Sequence, residues 1–270
     1  LSLFIPLGIF AQDIKNNPNS NHGNKFEQLG TILPTPNIYR TASGAPGQGY
    51  WQNRADYEIT AYLDEDKRNL KGSETVTYYN NSPDDLDYLW LQLDENQQSS
   101  VKNAGYDSET TLPKMITTDR LKTTDLPEKD NGYGVNLEKV TDDSGKPLKY
   151  VVNKTMMRID LPKVLKKGEK FVFKIDWNYN IPNRMAMGGR GGYEYFPEDG
   201  NDLYTITQWF PRMCVYSDFK GWQNNQFTGR GEFALAFGDY KVTMNVPADH
   251  IVASTGVGKN YEQVLTSAQL

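Results

Sequence analysis

One cysteine and two histidines are the whole supply of thiol and imidazole in this 270-residue chain. A lone Cys214 cannot close an intramolecular disulfide, and no thiolate metal site can be built on one sulfur. It is expected as a small buried hydrophobe rather than a reactive thiol. His22 lies in a polar segment, and His250 follows Val246-Pro247-Ala248-Asp249, a sequence suited to a turn. Both are expected as loop histidines. A zinc hydrolase needs histidine and carboxylate ligands around an open position, most often as H-E-x-x-H on a helix. That motif is missing, so no metal ligand and no catalytic residue is expected in this chain. A serine triad would have to use the same two histidines, and no G-x-S-x-G occurs.

Other absences are equally restrictive. The formal net charge is -5, with both signs interspersed. A nucleic-acid binder needs a basic patch to neutralise phosphates, so no nucleic acid is expected as a partner. No apolar run reaches the length of about 20 residues that a membrane-spanning helix requires, so no transmembrane segment is expected. No window of a dozen residues carries a helical apolar stripe.

What the chain has in quantity is aromatic residues, 12% of the total with 17 Tyr and 5 Trp. They recur at a period of two, the spacing of a half-buried strand. Tyr57, Ile59, Ala61 and Leu63 share one face, with Asp56, Glu58 and Thr60 on the other. Phe171, Phe173, Ile175, Trp177 and Tyr179 alternate over nine residues. Further strands are expected at 73–79, 89–93, 135–141, 148–152, 157–161, 203–209, 231–237, 240–246 and 251–254. Asp64-Glu65-Asp66, Asn80-Asn81-Ser82-Pro83-Asp84 and Asp142-Asp143-Ser144-Gly145 supply turns. Residues 94–131 read as a long polar excursion. The fold class is all-β, about ten strands in an antiparallel sandwich or an open, curved set of sheets.

Residues 1–11, LSLFIPLGIFA, have the length and character of the hydrophobic part of a signal peptide. They are expected to be a signal remnant, which implies export to the periplasm, cell surface or medium. Residues 12–49 are rich in Asn, Pro, Gly and Thr and are expected as an exposed linker.

Several clusters admit two readings. Glu194, Glu198, Asp199 and Asp202 beside Tyr193, Tyr195 and Phe196 could be a carboxylate pair for glycoside chemistry or a solvated loop. Gly188-Gly189-Arg190-Gly191-Gly192 could form a backbone nest for an anion or a flexible loop. Trp209, Tyr216 and Trp222 could build a platform for a glycan or a protein partner, or pack into a core. Asn80-Asn81-Ser82 and Asn153-Lys154-Thr155 match glycosylation acceptors.

Two blocks carry a resemblance. The first, residues 50–93, joins Tyr57 to Ile59, Leu70-Lys71-Gly72-Ser73-Glu74, Asn80 to Pro83, and Leu86 to Leu93 in one order. The second, residues 208–256, holds Gln208-Trp209-Phe210-Pro211-Arg212, Gly221-Trp222, Gly229 to Phe233, and Val246 to Gly256. Together they resemble the N-terminal domain of bacterial zinc metallopeptidases of the aminopeptidase N type. The resemblance implies a saddle-like β domain over residues 50–258, followed at 259–270 by the start of a connection to a catalytic domain. In that family the catalytic domain brings Gly-x-Met-Glu-Asn, H-E-x-x-H and one zinc ion, none of which this sequence contains. The implied role here is to wall the active site for a peptide substrate. Many relatives bind the substrate's free α-amine through a Gln or Glu near the end of this domain, and Gln208 sits at the matching place.

Overall fold

Strong alternation of burial begins just past Tyr50, where the chain divides into two units that meet between Tyr50 and Trp51. The computed structural model describes residues 36–104, 115–119, 129–229, 231 and 233–270. The expected signal remnant at 1–11, residues 12–35 of the expected linker, and parts of the 94–131 excursion lie outside the described residues. In the first unit, Asn37 Oδ1 accepts from the amides of Tyr39 and Arg40, and the Arg40 guanidinium stacks over the Tyr50 ring.

The second unit is built from strands, as its period of two requires. β1 (Arg54–Asp64), β2 (Asn69–Tyr79), β7 (Lys170–Asn180) and β4 (Asn136–Asp142) pair antiparallel in that order. β13 (Tyr240–Asn245) adds to the outer edge of β1. A second sheet runs β10 (Arg212–Met213), β3 (Leu86–Gln92), β6 (Met156–Leu165), β5 (Tyr150–Asn153). Two small ribbons complete the set: β8 (Gly192–Phe196) with β9 (Asn201–Thr205), and β11 (Tyr216–Ser217) with β12 (Gly221–Trp222). None of the sheets closes into a barrel, and the class is all-β.

The apolar face of each large sheet feeds one core. Tyr57, Ile59, Val76, Tyr78, Phe173, Ile175 and Trp177 of the first sheet meet Leu89, Leu91, Met157 and Ile159 of the second. A hydrogen bond bridges the two sheets inside that core: the Met213 amide of β10 donates to Tyr57 Oη of β1 at 2.8 Å. The Tyr57 ring is only 3% exposed, so this hydroxyl answers an amide that would otherwise be buried without a partner.

Several expected elements took other forms. The pairing is not wholly antiparallel, because β13 runs parallel to β1 from Tyr57↔Tyr240 to Tyr62↔Asn245. The expected strand at 203–209 ends early: β9 stops at Thr205, and Gln208 turns into a positive-φ conformation. Among the described residues of 231–237 there are only bridges, Arg54↔Phe237 and Cys214↔Leu235, and 251–254 forms no strand. The acidic cluster near Tyr193 divides: Glu194 and Asp202 lie on the strands of a hairpin, paired with Arg184 at 3.0 Å and Arg68 at 2.8 Å, whereas Glu198 and Asp199 are exposed in its turn, as a solvated loop requires. Two four-residue helices were not anticipated, α1 (Arg184–Met187) and α2 (Tyr261–Val264). The Asn183 side chain caps α1 by accepting from the Met185 and Ala186 amides. Of the two glycosylation matches, Asn80 is fully buried, and its amide nitrogen donates to the carbonyls of Asp84 and Leu165.

One core position breaks the apolar rule. Glu74 of β2 faces inward between its cross-strand neighbours Ile59 and Ile175, and it is 1% exposed. Neither carboxylate oxygen has a hydrogen-bond partner among the described residues. Burial alone pushes its carboxyl well above the usual range, so the group is held protonated. In the unfolded chain a glutamate ionises near pH 4.3 or about there. The stability that protonated Glu74 allows is therefore fully present below that pH and is lost as pH rises toward the folded-state value. Glu74→Gln is expected to match wild type in urea unfolding at low pH and to hold its midpoint better as pH rises. Parallel midpoint curves for the two proteins across the range would refute the assignment.

Candidate functional site

The site begins with a glycine. Gly72 of β2 lies directly across from Trp177 of β7, and a Cβ at position 72 would fall 2.2 Å from Trp177 Cζ2. The missing side chain thus makes room for the indole to lie flat on the sheet. Trp177 Nε1 then donates to the Trp209 carbonyl at 3.3 Å, and the two indoles pack with centroids 6.2 Å apart. Trp209 in turn meets Phe210 edge-on at 5.0 Å. The backbone beside Gln208 is therefore anchored from the core outward.

Gln208 itself has φ 52°, in the left-handed region that non-glycine residues seldom enter. Such a conformation costs on the order of 1–3 kcal/mol and persists only where surrounding packing imposes it. Here the anchor at Trp209 imposes it. The Gln208 side chain reaches a cleft of about 520 Å³, where Arg190 Nη2 donates to its Oε1 at 3.4 Å.

Three segments wall that cleft besides Gln208. One is a 3-10 helix, Asp94–Gln98, that follows β3 and contributes Glu95, Gln97 and Gln98. The second is the glycine run from Gly188 to Gly191, and the third holds Phe227, Gly229 and Gly231. Gly229 has φ 76°, which favours glycine, and a Cβ there would also sit 3.2 Å from Gln97 Nε2. The glycine run is thus one wall of a cleft that faces acidic and amide side chains, and the anion-nest reading gains nothing from this setting.

The 3-10 helix is fixed by charge. Arg212 of β10 donates to Asp94 Oδ2 and, at 3.4 Å, to Gln92 Oε1. The Asp94 side chain is 1% exposed and that of Arg212 13%. Removing one member of such a buried pair typically costs about 3–5 kcal/mol, because the other charge is stranded. Asn96 completes the anchoring by donating to the Lys154 carbonyl and accepting from the Val135 amide.

Glu95 is held differently. It makes no hydrogen bond or ion pair with any described residue, and its carboxyl is pushed up to about 8 by burial and then by the neighbouring Asp94 charge. Tyr179 of β7 lies near enough to have its own hydroxyl pushed up, by burial first and Glu95 second. Gln97 Oε1 is also buried without a partner among the described residues.

The remaining expectations find clear places. Cys214 is buried, and burial raises its thiol well above the ordinary value, so it is an inert core residue. Trp222 is 8% exposed and packs against Tyr78 and Tyr216. Trp209 and Tyr216 are half-buried, with Tyr216 stacked on Trp51. These aromatics fill the core margin rather than form a flat platform. His250 does sit in a turn, as its sequence predicts, but the fold brings it to Glu65 and Asp249 with one ligand atom of each within 4.8 Å of the others. His250 Nδ1 lies 3.2 Å from Asp249 Oδ1, and the Asp249 side chain is 83% exposed. This trio is the one potential metal-ligand group among the described residues, and spacing in the sequence gave no sign of Glu65 as a member. It stands at the end of β1, away from the residues that line the cleft.

No protein-family model matches the chain, and no curated protein sequence matches it. Solved structures do. An M1 zinc metallopeptidase mutant from Deinococcus radiodurans, bound to a Tyr-Ser-Ala substrate, matches at 13% identity and TM-score 0.40, over 76% of this chain and 35% of that one. A two-domain M1 zinc metallopeptidase mutant bound to L-tryptophan matches at 14% identity and TM-score 0.40, over 79% and 37%. The unmutated Deinococcus radiodurans M1 zinc metallopeptidase matches at 14% identity and TM-score 0.38, over 78% and 36%. The chain thus spans a little over a third of the length of these structures.

Because Gln208 is positioned through Trp209, Trp177 and Gly72, a methyl group at 72 has a defined consequence. Gly72→Ala is expected to lower stability by about 1–3 kcal/mol through overpacking and to change the near-ultraviolet circular dichroism of the stacked indoles. An unchanged urea midpoint and an unchanged aromatic spectrum would show that the contact is not tight. Gln208→Gly, by contrast, relieves the left-handed backbone and is expected to stay within about 1 kcal/mol of wild type.

Proposed function

We propose that residues 50–258 are the N-terminal β domain of an exported zinc metallopeptidase of the aminopeptidase N type, which walls the active site and positions the substrate's N-terminus. The ordered motifs at 50–93 and 208–256 support this reading from the sequence. The observation that carries it is the placement of Gln208: a side-chain carbonyl on a forced backbone conformation, lining a cleft of about 520 Å³.

The chemistry follows from that geometry. A free α-ammonium has three donors and no acceptor. It binds where fixed oxygens replace its water, and Gln208 Oε1 is such an oxygen. Arg190, which donates to that oxygen when no ligand is present, gives way to the incoming ammonium. The adjoining glycine run supplies the freedom for this movement. Fixing the ammonium sets the register of the peptide and so decides which bond meets the catalytic centre. The zinc ion belongs, in this reading, to a catalytic domain outside residues 1–270, where it would polarise the scissile carbonyl and activate water. Glu65, Asp249 and His250 are not among the residues that line the cleft beside Gln208.

The test is ligand binding to the purified chain by calorimetry. L-leucinamide, which has an α-ammonium and no carboxylate, is expected to bind saturably. N-acetyl-leucinamide, which has lost the charge, is expected to bind at least roughly tenfold more weakly, as befits a charge-assisted hydrogen bond. Equal binding of the two would overturn the reading, as would wild-type affinity in Gln208→Gly. The chain alone is expected to release no product from leucine p-nitroanilide with added zinc, and zinc-dependent turnover would refute a purely positioning role.

A further inference from the structure

Neighbouring strands that run parallel leave a sheet at the same end. β1 and β13 are in parallel register through Tyr62↔Asn245, and Asn245 Nδ2 donates to the Ala61 carbonyl at 3.1 Å. The turn after β1 and the turn after β13 therefore emerge side by side, although they are far apart in the chain. Glu65 comes from the first turn, and Asp249 and His250 come from the second. One ligand atom of each lies within 4.8 Å of the others.

The surroundings hold these residues in place. The Arg68 amide donates to the Glu65 carbonyl at 3.1 Å and closes the first turn, and the His250 amide donates to the Pro247 carbonyl at 3.1 Å in the second. The imidazole packs on the ring of Tyr204 in β9 with centroids 6.0 Å apart, and Tyr204 Oη donates in turn to Asp202 at 3.3 Å. His250 Nε2 is buried and has no hydrogen-bond partner among the described residues. The ring thus meets the acidic side chains through Nδ1, which lies 3.2 Å from Asp249 Oδ1. The cations of the first turn are committed to other acids, Lys67 to Asp64 at 2.7 Å and Arg68 to Asp202 at 2.8 Å. No described lysine or arginine pairs with the carboxylate of Glu65 or of Asp249. The fold has gathered two carboxylates and an imidazole nitrogen and has left their negative charge without a protein cation.

We propose that Glu65, Asp249 and His250 bind a divalent transition-metal ion, with one carboxylate oxygen from each acid and the imidazole Nδ1 as ligands. The donor set decides the class of ion. Calcium and magnesium take oxygen ligands, whereas an imidazole nitrogen with two carboxylates suits zinc and its neighbours in the first transition series. The spacing suits it too. Donors held about 2.0–2.2 Å from one tetrahedral ion stand about 3.3–3.6 Å apart. His250 Nδ1 and Asp249 Oδ1 are already close to that separation, and Glu65 has at most roughly 1.5 Å to close from its turn. In the neutral ring the proton then sits on Nε2, which leaves the Nδ1 lone pair to the ion. The bound ion clips the exits of β1 and β13 together and stabilises the folded chain over the unfolded one. None of the three residues lines the cleft beside Gln208, so the site stands or falls apart from the reading of that cleft.

The chain suits a direct test, because its other imidazole is His22 alone and its one thiol, Cys214, is buried. The experiment is calorimetry and thermal unfolding of the whole untagged chain with Zn2+, with Ca2+ as the comparison ion. Wild type is expected to bind Zn2+ saturably at a single site and to unfold at a higher temperature as Zn2+ is added, while Ca2+ at the same concentration leaves the unfolding temperature unchanged. His250→Gln, Glu65→Gln and Asp249→Asn are each expected to weaken Zn2+ binding at least about tenfold. His22→Gln is expected to bind as wild type does. All four changes lie outside the buried core, and unfolding without metal verifies that each variant folds. No saturable Zn2+ binding by wild type overturns the site, as does a Ca2+ response equal to that of Zn2+. Binding that survives His250→Gln, or that is lost in His22→Gln, also overturns it. Binding that depends on His250 but not on both carboxylates overturns the three-ligand set.

Discussion

Trp177 lying across Gly72 is the contact on which the rest of the site depends. A large indole can lie flat against a central strand only where its cross-strand neighbour has no side chain, and Gly72 provides that gap. The same indole then reaches out of the core with its one polar atom and takes the Trp209 carbonyl. Burying an indole N–H without a partner is costly, so this bond is both a condition of packing Trp177 and the device that fixes the segment after β9. The forced conformation of Gln208 is its consequence. A residue one position from an anchored carbonyl, with the edge-on Phe210 just beyond, has little choice of backbone.

Charge does for the opposite wall what packing does for this one. The Arg212–Asp94 pair is almost fully withdrawn from water, so a high desolvation cost offsets its attraction. Its structural effect is plain. It ties the helix after β3 to the strand after Pro211, which brings together two parts of the chain separated by more than a hundred residues. Asp94 is ion-paired in the process and Glu95 is not. Two adjacent acids in one short helix therefore have opposite fates: one is a tether, the other an uncompensated carboxyl in a cleft. The buried Glu74 shows the same physics without a cleft, since no described residue hydrogen-bonds to it and burial favours its protonated form.

Much of the framework was legible before any coordinates. Tyr57, Ile59 and Ala61 in β1, and Phe173, Ile175, Trp177 and Tyr179 in β7, alternate so cleanly that only a strand buries them on one side. Cys214 was readable as core from its isolation alone. Gln208 was visible through its place before Trp-Phe-Pro, not through any periodicity. Glu95 and Gln97 were not visible. They lie where the alternation stops, in a polar stretch that resembles any solvated loop, and their helix is held through Asp94 and Asn96 by Arg212, Val135 and Lys154, which are distant in sequence. The hairpin of β8 and β9 was hidden for a similar reason, because Glu194 and Asp202 on its strands are paired with Arg184 and Arg68.

By itself, the sequence determined the class of fold and the limits of the chemistry. Period-two aromatics dictate strands, because only a strand turns alternate residues to one side, and the scarcity of thiol and imidazole narrows the expectations for metal and triad sites. Tertiary structure decided everything that depends on distance between segments. It chose the parallel seat of β13 on β1, gathered Glu65 with His250, and brought Glu95 and the glycine run to one cleft. Hydrophobic pattern is local and is written along the chain, whereas the fate of a carboxylate depends on which charges and donors the fold delivers to it.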